Sequence, residues 1–274
     1  MDTPNIKKSV QSVSSVAKTN AVCQGFAVSI LTSHDTEAMK TLLHGSWGLY
    51  RRVLDIFVPP RCVVCKKVGV WLCADCAQRI PLFYAPLCPR CGRPESSQRL
   101  CQVCQTTPLH VAPIRATFLF EGEVRDVIHA LKYRGARDIL SPLAKRMAEV
   151  WRYHKMESDL LIPVPLHANR EAKRGYNQSA LVAQALGRQI GVPVAEGVLT
   201  RVRDTMSQTK LNREERQKNV ANAFVYSART QLDGKRVTLI DDVATTGATL
   251  EACAVVVMSN GAKSVNAFTL ARAP

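Results

Sequence analysis

The sequence predicts an α/β fold, a parallel sheet flanked by helices, joined to a small N-terminal module built on four-cysteine metal sites. Three observations predict it. From Ile114 onward, short apolar runs alternate with segments of helical period, the pattern of βαβ units. Eight of the ten cysteines form four Cys-x-x-Cys pairs inside residues 62–104. Finally, Val237-Thr-Leu-Ile-Asp-Asp-Val-Ala-Thr-Thr-Gly-Ala-Thr-Leu250 reads as buried strand, acidic pair, small-residue turn and helix.

In chain order, residues 1–45 are rich in Ser, Thr, Lys and Gln and lack a sustained period, so they read as a disordered tail. Met39-Lys-Thr-Leu-Leu is a natural start, and the preceding 38 residues read as a mis-assigned extension. Residues 46–110 hold an amphipathic segment and the cysteine module. Trp47, Leu49, Tyr50, Val53, Leu54 and Phe57 mark a short amphipathic helix stopped by Pro59-Pro60. Packing on a neighbouring domain is its first reading, and peripheral membrane contact its second.

Tight Cys-x-x-Cys knuckles each supply two thiolates to a tetrahedral ion, so the eight cysteines read as two structural Zn²⁺ sites in a reducing compartment. Zinc is preferred to a redox dithiol or an iron–sulfur cluster. Seven residues separate Cys65 from Cys73 and nine separate Cys91 from Cys101, spacings that suit small hairpins. Pairing neighbours gives one site from Cys62, Cys65, Cys73 and Cys76 and another from Cys88, Cys91, Cys101 and Cys104. A cross-braced arrangement is the alternative, and spacing leaves it open.

Residues 111–274 form the second domain. Strands are expected at 115–120, 160–164, 192–195, 237–240 and 265–270, and helices at 124–133, 139–151 and 177–190, the last capped by Asn177. Ligands of such sheets sit at the carboxyl ends of strands, where Asp241 and Asp242 fall. Singly, an acidic pair is commonly just solvated and Thr-Gly just a helix cap. In order, these parts make a sugar-phosphate site: loop N–H groups and a helix N-terminus attract phosphate, and carboxylates accept from vicinal hydroxyls. The stretch 163–178 carries Arg170, Lys173 and Arg174 on a strand-to-helix loop, suited to a pyrophosphate. The polar stretch 201–224 reads as a mobile lid. His129 and His167 are candidate bases by location only.

The net charge of +15 and pI near 9.6 favour polyanionic partners. No apolar run approaches the ~20 residues that cross a bilayer. With 6% aromatic residues, nucleic-acid contact would be electrostatic rather than a stacking readout.

The segment 237–249 resembles the 5-phosphoribosyl 1-pyrophosphate (PRPP) motif of type I phosphoribosyltransferases, and Thr238 is its one departure. The resemblance implies that Asp241 and Asp242 hold the ribose hydroxyls. It implies that Ala244, Thr245, Thr246, Gly247, Ala248 and Thr249 wrap the 5′-phosphate, with Mg²⁺ accompanying PRPP. Together with the four knuckles, further stretches narrow it to the ComF (GntX-like) family. They are Leu131-Lys-Tyr-Arg-Gly135, Pro163-Val-Pro-Leu-His167, Arg174-Gly-Tyr-Asn-Gln178, Thr205-Met-Ser-Gln-Thr209 and Arg216-Gln-Lys-Asn-Val220. That resemblance implies a cytoplasmic phosphoribosyltransferase-like protein linked to DNA uptake, with single-stranded DNA and uptake proteins as partners. Phosphoribosyl transfer to an unknown acceptor, with Arg170 and Arg174 steadying the leaving group, is one implication. A non-catalytic module that uses the ribbons and basic surface is the other.

Overall fold

A computed structural model describes residues 59–84, 86–96, 99–107, 109–203, 222–227 and 230–274. The tail, the amphipathic segment and most of the expected lid therefore lie outside the described residues. The cysteine region contributes helices α1 (Ala74–Arg79) and α2 (Gln102–Thr106). Then follow β1 (Val111–Leu119), α3 (Gly122–Tyr133), α4 (Ala144–Tyr153), β2 (Leu160–Pro163), α5 (Ala168–Arg174) and α6 (Gln178–Ile190). The chain continues through β3 (Leu199–Arg201), β4 (Phe224–Tyr226), β5 (Arg236–Ala244), α7 (Ala248–Ser259) and β6 (Ser264–Arg272).

Strands β1, β6, β5 and β2 hydrogen-bond in that order, and every pairing is parallel. Side chains alternate between two apolar layers, as a pleated strand requires. Ile240, Phe268, Leu270 and Phe118 face α3, α4 and α6, while Val237, Leu239, Val265 and Ala267 face α7 and the β3–β4 hairpin. Covering both faces explains why β5 and β6 read as nearly continuous apolar runs. Trp151 of α4 meets Phe268 edge-on, ring centroids 5.6 Å apart.

The loops after β2 and β5 lead to helices on opposite faces, α6 on one and α7 on the other. Their neighbouring carboxyl ends thus bound a crevice, the topological switch point of the sheet. Register widens it. Pro163, the last residue of β2, pairs with Ile240, so β5 passes Asp241 and Asp242 with no β2 residue beside them.

Three expectations change. The helix expected over 139–151 is a 3₁₀ turn (Arg137–Leu140) followed by α4, because Pro142 has no amide hydrogen to continue the ladder. The basic stretch 163–178 is not simply a loop. Residues 168–174 form α5, which buries none of its side chains and so shows no apolar period. The strand expected over 192–195 is reduced to a single bridge between Val194 and Leu161. Pro193 lies within it and cannot donate to a neighbour, so this segment closes the sheet edge. The helix starting after Asn177 forms as expected, with the Asn177 side chain accepting from Ser179 N at 3.0 Å.

The cysteine module is not a separate bead. Cys62, Val63, Leu72, Cys76, Ala77 and Ile80 belong to the same buried cluster as α3 and α4. Arg146 of α4 donates to the carbonyls of Ala77 and Gln78, covering the C-terminal end of α1. Among the described residues, no helix is long and apolar enough to cross a membrane.

Candidate functional site

The two cysteine sets assemble as neighbours. Cys62, Cys65, Cys73 and Cys76 converge, as do Cys88, Cys91, Cys101 and Cys104, each set with its sulfurs within 4.8 Å of one another. This removes the cross-braced alternative. Sulfur separations are 3.9 Å for Cys62–Cys73, 3.7 Å for Cys65–Cys73 and 3.6 Å for Cys91–Cys101. A tetrahedron with Zn–S bonds of ~2.3 Å has edges of ~3.8 Å, whereas a disulfide would need ~2.05 Å. The donor sets therefore fit Zn²⁺.

Both knuckles follow one plan. Cys62 N donates to Lys67 O and Cys88 N to Arg93 O, closing matching turns. The residue after each second cysteine adopts the left-handed region, Lys66 at φ 64 and Gly92 at φ 64. Lys66 is exposed and tolerates its side chain there. Gly92 does not have that room: a Cβ would lie 2.1 Å from the Ile114 carbonyl oxygen of β1. Ile114 N also donates to Arg90 O at 2.9 Å, so the second knuckle is fastened directly to the sheet.

At the switch point, Asp241 and Asp242 lie inside β5 rather than at its end, since the strand continues to Ala244. Asp241 Oδ1 accepts from Ser179 Oγ and from Asp242 N, both at 2.8 Å. Burial, and then repulsion from Asp242, push its carboxyl up to about 7. Asp242 is 4% exposed; its Oδ1 pairs with Lys132 Nζ at 2.9 Å and its buried Oδ2 has no partner among the described residues. Burial works against the Lys132 charge, but Asp242 first and Asp241 behind it more than offset this and raise its pKa. One carboxylate is thus nearly neutralised by a cation, and the other is held between its two protonation states.

Beyond the acids, β5 turns through Thr245 and Thr246 to Gly247, which caps α7 at φ 83. Thr246 Oγ1 accepts from Ala248 N at 3.3 Å, and Thr249 lies in the first turn of the helix. Arg170 and Arg174 lie four apart on α5, so they leave the helix on one face. Arg174 donates to Gln178 Oε1, and its guanidinium lies 5.5 Å from the Tyr133 ring centroid. His167 caps α5, its Nδ1 accepting from Asn169 N at 3.3 Å, and His129 packs beside Tyr133 at 4.9 Å. Both histidines therefore have structural work, and neither is assigned as a base. The lid expected over 201–224 leaves from β3 and returns on β4. These strands pair antiparallel and bring its ends together.

Sequence reasoning left Lys132, Ser179 and Arg272 without a role. Lys132 stands in the Leu131–Gly135 stretch, and Ser179 follows the Asn177 cap; only the fold points them at the acids. Arg272, the last residue of β6, is 1% exposed and donates to the Thr245 carbonyl. Burial pushes its guanidinium down, and the Cys91 and Cys101 sulfurs push it back.

Two known protein families match parts of this chain. The double zinc ribbon domain matches residues 53–105, and the phosphoribosyl transferase domain matches residues 176–274. DNA utilization protein YhgH of Escherichia coli K12 is 31% identical over 225 residues, covering 78% of this chain and 98% of that protein. Competence protein F of Haemophilus influenzae is 30% identical over 229 residues, covering 78% of this chain and 97% of that protein. The chain belongs to the ComF family. Competence protein ComFC of Bacillus subtilis is a more distant relative, 25% identical over 210 residues, with 73% of this chain and 84% of that protein covered. Within the ComF architecture, the double zinc ribbon supplies the two cysteine sites and the phosphoribosyltransferase fold supplies the switch-point crevice.

Proposed function

We propose that this ComF protein binds PRPP together with Mg²⁺ at the β5 crevice and transfers its phosphoribosyl group to an acceptor. The observation that carries this reading is the junction itself. Two carboxylates stand at the switch point, immediately ahead of a glycine turn that opens the 12-residue helix α7. Backbone N–H groups of residues 244–249 and the positive end of α7 suit the 5′-phosphate. Asp241 Oδ2 and the unpartnered Asp242 Oδ2 suit the two ribose hydroxyls as acceptors. The buried carboxylate oxygens also fit a hard cation, and Mg²⁺ would supply neutralisation of the pyrophosphate charge.

In transfer, the bond from C1 to the pyrophosphate oxygen breaks and its electron pair leaves with the pyrophosphate. Arg170 and Arg174 hold the departing oxygens, and an acceptor nucleophile forms the new bond at C1. Lys132 pairs with Asp242 and fixes its carboxylate, so that the ribose is oriented before bond breaking. A cytoplasmic location suits this reading, since thiolate ligands persist in a reducing compartment.

Calorimetric titration of the full chain with PRPP·Mg²⁺ tests it, and pH sharpens the test. Ribose hydroxyls and the cation favour the ionised Asp241, so binding should expel a proton from a group that titrates near 7 when free. Affinity is expected to fall about tenfold between pH 8 and pH 6, since one pKa unit corresponds to a tenfold change. No heat of binding at either pH would end the reading.

A second reading is favoured by the first knuckle. Arg61, Lys66 and Lys67 are exposed beside Val68 and Val70, forming a basic tip with apolar patches. It suits contact with single-stranded DNA, in keeping with the competence and DNA-utilization names of the relatives. Its signature is an affinity that drops by an order of magnitude or more between 50 and 200 mM salt when several phosphates are contacted. Replacing Lys66 and Lys67 by Gln should flatten that slope; an unchanged slope would remove the knuckle from the contact.

A further inference from the structure

The second cysteine site and the loop after β5 line the same small cavity. A cavity of about 20 Å³ between them is lined by Cys91, Cys104 and Arg93 on one side and by Thr246, Gly247 and Arg272 on the other. It has room for about one water. Arg272 spans the gap: one guanidinium nitrogen donates to Thr245 O, while Nε and Nη2 are buried with no nitrogen or oxygen partner among the described residues. Arg93 Nε is likewise buried with no partner among the described residues. Two guanidinium charges thus face one four-cysteine cluster.

The charges match. Zn²⁺ held by four thiolates carries a net double negative charge, which Arg93 and Arg272 balance. Without the ion nothing holds the four sulfurs together opposite Arg272, and a buried guanidinium that loses the cluster it faces is driven to move or seek water. Movement would release the Thr245 carbonyl, the acceptor that fixes the start of the loop. A second strut runs in parallel: Glu251, in the first turn of α7, accepts from the N–H groups of His110 and Val111 at 2.9 and 3.1 Å. His110 lies on the link from the second ribbon to β1.

We propose that Arg272 is a positioning residue coupling the second zinc site to the phosphate loop, so that metal at Cys88, Cys91, Cys101 and Cys104 and phosphoryl ligand at residues 244–249 strengthen each other's binding. The ligand half of this statement rests on the PRPP reading above; the coupling of metal to loop does not. Linkage requires the effect to be reciprocal, and coupling between sites is typically ~5–150-fold.

The test uses the full chain and hydrogen–deuterium exchange over residues 241–251. Three proteins are compared: wild type with both zinc ions, Cys101→Ser to weaken metal at the second site alone, and zinc-loaded Arg272→Lys, with occupancy counted by native mass spectrometry. Both variants should exchange faster in the loop while β1 and β2 stay protected, and should bind PRPP·Mg²⁺ about tenfold more weakly. In the wild type, PRPP·Mg²⁺ should raise retention of the second zinc against a chelator by a similar factor. Unchanged loop exchange in Arg272→Lys, or PRPP affinity equal across all three proteins, would overturn the coupling while leaving the PRPP reading intact. Faster loop exchange in a protein that never binds PRPP would do the reverse. Should Cys101→Ser also expose the sheet, Arg272→Lys and zinc retention by the wild type decide.

Discussion

Stripping zinc from this protein is expected to melt the phosphoribosyltransferase-like domain along with the ribbons. The first cysteine site contributes Cys62, Val63, Leu72, Ala77 and Ile80 to the cluster that contains α3, α4 and one face of the sheet. Losing that site therefore opens the main core. Structural zinc contributes an apparent ~10–16 kcal/mol to the folding of small metal-bound modules at neutral pH. Even if only ~4 kcal/mol of that reaches the shared core, the midpoint should fall by ~10 °C, at ~2–4 °C per kcal/mol for a chain of this size. Scanning calorimetry with and without a chelator reads this directly. Two transitions, with the upper one unmoved by chelation, would show instead that the ribbons melt independently. Acid should mimic the chelator, because protons compete with zinc for thiolates.

Neutralising the acidic pair should produce the second large effect. Each charge-assisted hydrogen bond to a ribose hydroxyl contributes ~1.5–3 kcal/mol, so Asp241→Asn with Asp242→Asn should weaken PRPP·Mg²⁺ binding by at least ~100-fold. The single variants should lose binding alike yet diverge in stability. Asp241 has a raised pKa, so it binds a proton in the folded state at pH values where the unfolded chain has already released it. Its contribution to stability is present at low pH and is lost as pH rises from the ordinary carboxylate range toward about 7. Asn removes that penalty, and Asp241→Asn should melt no lower than the wild type at pH 8. Asp242→Asn strips Lys132 of its partner in a mostly buried setting and should melt lower. Equal midpoints for the two single variants would refute the asymmetry of the pair.

Much of this architecture is legible in the chain. A buried β-branched strand declares itself by composition, as Val237–Ile240 does, because both faces of a parallel sheet are covered. Cys-x-x-Cys spacing declares metal knuckles because a tetrahedron needs two sulfurs from one tight turn. Helix α5 was not legible, since a helix that buries nothing has no apolar period to read. Nor was the break at Pro142 read correctly: the flanking residues keep a helical pattern that one missing N–H interrupts. Pairing of the two cysteine sets stayed open for a related reason. Spacing limits which sulfurs can meet, but only the path of the chain between knuckles decides that neighbours converge.

The stretch 237–250 displayed a buried strand, two carboxylates, a glycine turn and a helix start without help from the rest of the chain. Each of these depends on residues adjacent in sequence, and adjacency is what a sequence displays. Tertiary structure alone decided what surrounds them: Lys132 on Asp242, Ser179 on Asp241, and Arg272 reaching the loop from beside the second cysteine site. These contacts join residues dozens of positions apart, and they exist because a parallel sheet gathers the carboxyl ends of its strands along one edge. The same gathering set the burial that holds Asp241 near neutral pH, a property that no local pattern encodes.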